Sequence, residues 1–162
     1  MSATDVANRF YAAFAAHDGA TMAACYAPDA TFADPVFPGL DARRAGAMWR
    51  MLCERGGANL VVTHRIVSTE GDRVIVRWDA DYPFKGGGSG PGRPVHNEIT
   101  ATIDVRDGYI ARHVDEFDFW RWSRQALGLP GVVLGWSGYL RAKVQATAGE
   151  QLDRWVAKNV SR

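Results

Sequence analysis

The sequence predicts an α+β fold: a cone-like, curved antiparallel sheet packed against N-terminal helices, with extra helices at the C-terminal end. Three observations predict it. Helical spacing of apolar residues dominates up to about residue 55, long alternating segments occupy about residues 59 to 120, and helical spacing returns after about residue 121. Helices gathered at the ends of a strand meander bury their apolar stripes against one face of that sheet.

The elements follow in order. Residues 5–16 form a first helix, with Val6, Phe10, Ala13 and Phe14 as its stripe, Thr4 as its cap and Gly19 beyond its end. A short second helix covers about Ala20 to Tyr26 and is stopped by Pro28. The segment ATFADPVF (30–37) is extended and broken at Pro35. A third helix spans 43–55, with Ala45, Met48, Trp49 and Leu52 at i, i+3, i+4 and i+7, and Gly56-Gly57 ends it. NLVVTHRIVSTE (59–70) turns through Gly71-Asp72 into RVIVRWDADYPF (73–84). The connection KGGGSGPGRP (85–94) leads to VHNEITATIDVR (95–106), and Asp107-Gly108 is a strong two-residue hairpin signal. The strand YIARHVDEFDFW (109–120) runs into a helix near Arg121 to Leu127. After Gly128, Pro130 and Gly131, the tail Val132–Val160 reads as one or two amphipathic helices. Residues 1–128 thus make one domain and 129–162 a helical extension of it, without internal repeats.

Composition narrows the function. Hydrophobic residues make up 47% and charged residues 23% of 162, and the formal net charge is +1, as in an ordinary globular chain. No basic run marks a nucleic-acid surface. The apolar stretches are too short for a membrane span, and MSATDVANRF lacks the regions of a signal peptide. The expectation is a cytoplasmic protein without nucleic-acid or membrane partners. Cys25 and Cys53 lie in helical segments without CxxC or His-rich spacing, so they are expected as buried thiols and no metal site is expected.

The strand VIVRWDADYPF (74–84) poses the functional question. Arg77, Asp79 and Asp81 fall on one side, and Val74, Val76, Trp78, Ala80 and Tyr82 on the other. If the apolar side faces the core, the charges are an ordinary wet surface. If the apolar side is covered by a second copy of the chain, the charges line the hollow of the cone and the protein is a homodimer through its outer sheet face.

Three stretches, FYAAFAAHDGATMAACYAPDATFADPVF (10–37), EGDRVIVRWDADY (70–82) and RDGYIARHVDEFDFW (106–120), carry a resemblance to the nuclear transport factor 2-like superfamily of cone-shaped α+β folds, over about residues 5–128. DATFADP is similar to ketosteroid isomerase, which implies Asp34 as a catalytic base. The isomerase's oxyanion donors do not carry over: its helical tyrosine falls on Phe10 and its protonated acid near Ala101. Arg77-Trp78-Asp79 and Asp115 in VDEFDF resemble limonene-1,2-epoxide hydrolase, which implies one acid activating water, another protonating the epoxide oxygen, and an arginine bridging them. That family's water-holding tyrosine and asparagine fall on Phe32 and Asp34. Bacterial polyketide cyclases share the fold.

The residues themselves add weight. Asp115 shares a strand face with Ala111, His113, Phe117 and Phe119, and a poorly solvated carboxylate suits a base. His113 beside it can hold water or relay a proton. Phe10, Tyr11, Phe14, Phe32, Trp49, His64 and Phe117 are expected to line the pocket or core, and His96, Glu98, Thr100 and Thr102 the outer face. The leading expectation is a cofactor-independent acid–base enzyme acting on a hydrophobic small molecule, with Asp115, Arg77, Asp79, Asp34 and His113 as the catalytic set and an epoxide-like substrate. The alternatives are a non-catalytic binder of such a molecule and a polyketide cyclase or dehydratase.

Overall fold

The computed structural model describes residues 1–86 and 88–159; Gly87 of the glycine-rich connection and the last three residues of the tail lie outside the described residues. Helix α1 (Ala3–Ala15) opens with a capping box. The Ser2 hydroxyl accepts from the Asp5 N–H, and the Asp5 carboxylate accepts from the Ser2 N–H, so two free donors of the first turn are satisfied reciprocally. The cap is therefore Ser2 and not Thr4, whose hydroxyl instead pairs with that of Thr69. Helix α2 (Gly19–Ala24) is capped by Asp18.

Tyr26 belongs to a strand, not to the second helix. Strand β1 runs from Tyr26 to Ala33 and tolerates Pro28 through an irregularity in its pairing between Tyr26 and Thr31. A short β2 (Leu40–Asp41) leads into α3 (Ala42–Gly56), where the Asp41 carboxylate caps the Arg44 N–H. Strands β3 (Val61–Glu70), β4 (Arg73–Phe84), β5 (Arg93–Arg106) and β6 (Tyr109–Glu116) form the meander. Asp107 and Gly108 both take positive φ, +53° and +79°, as the tight β5–β6 hairpin requires. Strand β6 stops at Glu116 because the Asp118 carboxylate caps the next helix, α4 (Phe119–Leu127). Helices α5 (Leu129–Leu134) and α6 (Gly138–Asn159) complete the chain.

The six strands make one curved sheet in the order β2-β1-β6-β5-β4-β3, not closed into a barrel. It is mixed rather than purely antiparallel, since β1 runs parallel to β6. Alternation cannot reveal that pairing: it depends on the whole chain lying between the two strands.

The two readings of strand 74–84 are resolved by α1. Val74, Val76, Trp78 and Ala80 are buried with Val6, Phe10, Tyr11 and Phe14 of that helix in one core. The register carries the face across the sheet: Val76 pairs with Ala101, and Ala101 with Asp115. Arg77 instead pairs with Thr100, and Thr100 with Glu116, on the opposite face. The apolar side thus meets the chain's own helices, and the apolar outer surface that called for a second copy is a polar one. Cys25 and Cys53 are free buried thiols. Among the described residues, no helix is long and apolar enough to cross a membrane.

Candidate active site

The inward face of β6 carries His113 and Asp115 into an aromatic interior. His113 has no exposed surface and Asp115 only 3%. Rings from three elements enclose the imidazole: Phe10 of α1 at 5.4 Å, Phe32 of β1 at 5.0 Å, both edge-on, and Trp49 of α3 stacked at 6.0 Å between centroids. Such rings supply contact but no acceptors, so every polar atom here needs a specific partner.

The partners form one ordered chain. Trp49 Nε1–H donates to the Tyr26 hydroxyl at 2.9 Å. The Asp115 carboxylate can only accept, so His113 places its hydrogen on Nε2 and offers Nδ1 to the Tyr26 O–H at 2.7 Å. His113 therefore accepts at Nδ1 and carries its hydrogen on Nε2, which donates to Asp115 Oδ1 at 2.9 Å. Trp78 Nε1–H donates to the same oxygen at 3.4 Å. The donors of this chain fix both the tautomer of His113 and the position of the Asp115 carboxylate. Tyr26 had no place among the sequence candidates, because its segment reads as the end of a helix.

Asp34 stands where β1 breaks at Pro35. Its Oδ1 accepts the N–H groups of Val36 at 2.7 Å and Phe37 at 2.5 Å, closing a tight turn. Burial pushes the Asp34 carboxyl up to about 7; the two N–H groups and the Arg141 guanidinium oppose the rise, and the Asp115 charge adds to it. Helix α6 reaches this turn as well, with Gln145 Nε2–H donating to the Pro35 carbonyl at 3.0 Å. Part of the C-terminal tail thus packs against the turn after β1 and against α3. Leu140 and Leu152 anchor it, and Arg44 pairs with Asp153 to tie it to α3.

Two phenols complete the site. Tyr82 of β4 accepts Trp122 Nε1–H at 2.8 Å, which leaves its own hydrogen without a partner among the described residues. Burial, with the nearby Asp34 charge, pushes that phenol up to about 12. Tyr82, Val36 and Phe117 touch both the main core and the smaller cluster of Val95, Phe119, Trp122 and Ala126. The Tyr11 hydroxyl of α1 is the one buried side-chain polar atom without a hydrogen bond among the described residues. Its ring stacks on His64 at 5.2 Å, and burial followed by the Asp115 charge drives its phenol well above the ordinary range. Tyr82 falls on the apolar face of its strand in the sequence, yet only the fold shows its hydroxyl beside Asp34.

The sequence candidates therefore separate. Asp115, His113 and Asp34 share one electrostatic neighbourhood inside the sheet, walled by Phe10, Tyr11, Phe32, Trp49 and Phe117. Phe14 packs between Trp49 and Trp78. His64 is satisfied by the Asn8 side-chain oxygen at 3.0 Å and covers Tyr11. Arg77 and Asp79 do not join them: they border a shallow depression of about 260 Å³ with Thr63, His64, Arg65 and Trp78. The cause is strand periodicity, since Trp78 points inward and its two neighbours must then point outward.

Known proteins share this fold. A candidate polyketide cyclase from Streptomyces antibioticus, IdmH, superposes with a TM-score of 0.63 at 26% identity, over 80% of this chain and all of its own (100%). A candidate polyketide cyclase from Xanthomonas campestris pv. campestris gives 0.61 at 26% identity, covering 76% of this chain and 96% of that one. An LEH-like epoxide hydrolase from M. tuberculosis shares the fold, with a TM-score of 0.59 at 20% identity over 82% of this chain and 95% of its own. No curated protein matches the sequence. The sequence model of the SnoaL-like domain matches residues 7–113, well over half of the chain, and the protein belongs to that family, within the nuclear transport factor 2-like fold its sequence resembles.

Proposed function

We propose that this protein is a cofactor-independent acid–base enzyme that removes a proton beside a carbonyl group in a small, largely apolar molecule, as an aldol-type cyclisation of a polyketide-like substrate requires. The observation that carries the reading is Asp34: a carboxyl raised to about 7 by burial where β1 breaks, beside an aromatic interior. A base poised near neutral pH combines useful ionisation with useful strength. Tyr82, its hydrogen free, can donate to the oxygen that gains charge as the proton leaves. Asp115 below, immobilised by His113 and Trp78, contributes a fixed negative charge that raises the proton affinity of Asp34. Water-assisted epoxide opening is favoured less, because it relied on Arg77 and Asp79 meeting Asp115, and their side chains lie on the other face of the sheet.

Exchange in D2O tests the proposal. Cyclic and linear 1,3-diketones and polycyclic ketones are incubated with the protein, and loss of the α-proton signal is followed by NMR. Exchange above the buffer rate that disappears in Asp34→Asn supports the assignment. Thermal stabilisation by these compounds without exchange or product favours a non-catalytic binder. Exchange unchanged in Asp34→Asn removes Asp34 as the base.

A further inference from the structure

The outer face of the sheet holds a second cluster, unrelated to the interior. The register of β4 and β5 sets Asp79 opposite Glu98 and Asp81 opposite His96, so four titratable side chains share one patch. His96 Nδ1–H donates to Asp81 Oδ1 at 2.8 Å, which turns Nε2 toward Glu98 Oε1, 3.8 Å away. Glu98 Oε2 is taken by Arg121 Nη1 at 2.5 Å, which leaves Oε1 free. One ligand atom each from Asp79, His96 and Glu98 lies within 4.8 Å of the other two.

We propose that Asp79, His96 and Glu98 form a binding site for a divalent transition metal, with zinc the best-fitting ion. One imidazole and two carboxylates are a borderline donor set that suits zinc better than magnesium or calcium, which prefer all-oxygen shells. Metal–ligand bonds of about 2.0–2.2 Å need the three atoms to draw together by roughly an ångström, a rotation that half-exposed side chains make freely. The surroundings already have the form of an outer shell. Asp81 holds the non-ligating nitrogen of His96, as carboxylates do behind metal-bound histidines, and Arg121 orients Glu98. Three carboxylates gathered around one imidazole also supply the negative charge that a dication needs.

The test is calorimetric titration of the untagged, full-length protein with zinc chloride at pH 7.5, with cobalt(II) absorption as a second readout. One zinc per chain in the micromolar range is expected. His96→Ala and Asp79→Asn each weaken it by about tenfold or more, and Asp81→Asn weakens it less. Circular dichroism verifies that these surface variants keep the fold. Absence of binding up to millimolar zinc, or undiminished binding by His96→Ala, overturns the site.

Discussion

Removing the same atom from two buried tyrosines separates a built network from a loose end. Tyr26→Phe deletes a hydroxyl that receives Trp49 Nε1–H and donates to His113 Nδ1. Trp49 is 2% exposed and His113 has no exposed surface, so neither partner can turn to water. Each orphaned group costs about 1–3 kcal/mol, which sets the total near 3 kcal/mol. In a chain of this size about 3 kcal/mol corresponds to a fall in Tm of roughly 6–12 °C. Tyr11→Phe deletes a hydroxyl that has no partner, so no hydrogen bond is lost and an unpaid desolvation is relieved. Its expected effect is within about 0.5 kcal/mol of zero or slightly stabilising. Urea unfolding followed by far-ultraviolet circular dichroism measures both variants against the parent. Equal losses, or a larger loss at Tyr11, would refute the hydrogen-bonded chain from Trp49 to Asp115.

Other consequences are as direct. Asp34 holds its proton up to about 7 in the folded chain and releases it near 3.8 when unfolded, so its contribution is complete below about 4 and is lost as pH rises through 7. Asp34→Asn should flatten that part of the stability profile, gaining a few kcal/mol over the parent at pH 8. If the exchange activity is found, its rate should rise through pH 7 as Asp34 ionises, and Asp34→Asn should lower it about 10²–10⁴-fold. Asp115→Asn keeps an acceptor for His113 and Trp78, so it should fold normally while moving the rise of the rate with pH below 7, because the charge that raises Asp34 is gone; Arg77→Ala, on the outer face, should change stability by less than about 0.5 kcal/mol and leave activity intact. Gly131→Ala should destabilise by about 2–3 kcal/mol and expose α5 to limited proteolysis, because the added carbon would sit 1.9 Å from the Ser123 carbonyl oxygen.

Much of the architecture is legible in the sequence because local chemistry dictates it. The alternation of 73–84, the Asp107-Gly108 turn and the apolar stripe of α1 each have one physical solution. Pairing between distant segments has no such local signature, so the parallel β1–β6 contact and the strand identity of Tyr26 stay hidden. The site divides the same way. Asp115 and His113 are readable as polar groups on an otherwise apolar strand face. Arg77 and Asp79 are misread because alternation gives two faces without saying which is inward; the aromatic stripe of α1 needs a cover, and only the apolar face of β4 supplies it. The likeness to the hydrolase favours the charged face, and the packing requirement of Phe10 and Phe14 overrides it. The raised carboxyl of Asp34 carries no local sequence signal, since it comes from burial by elements distant in the chain and from the Asp115 charge.

The contact between Tyr26 and His113 joins positions 87 residues apart. A chain emerging from the ribosome shows the first of these long before the second exists, and the strands between them can zip only hairpin by hairpin. Closing so large a loop is slow. The imidazole thus meets its phenolic partner only once both strands are in place, and a chain cut short before residue 113 has the N-terminal helices without this hydrogen-bonded pair.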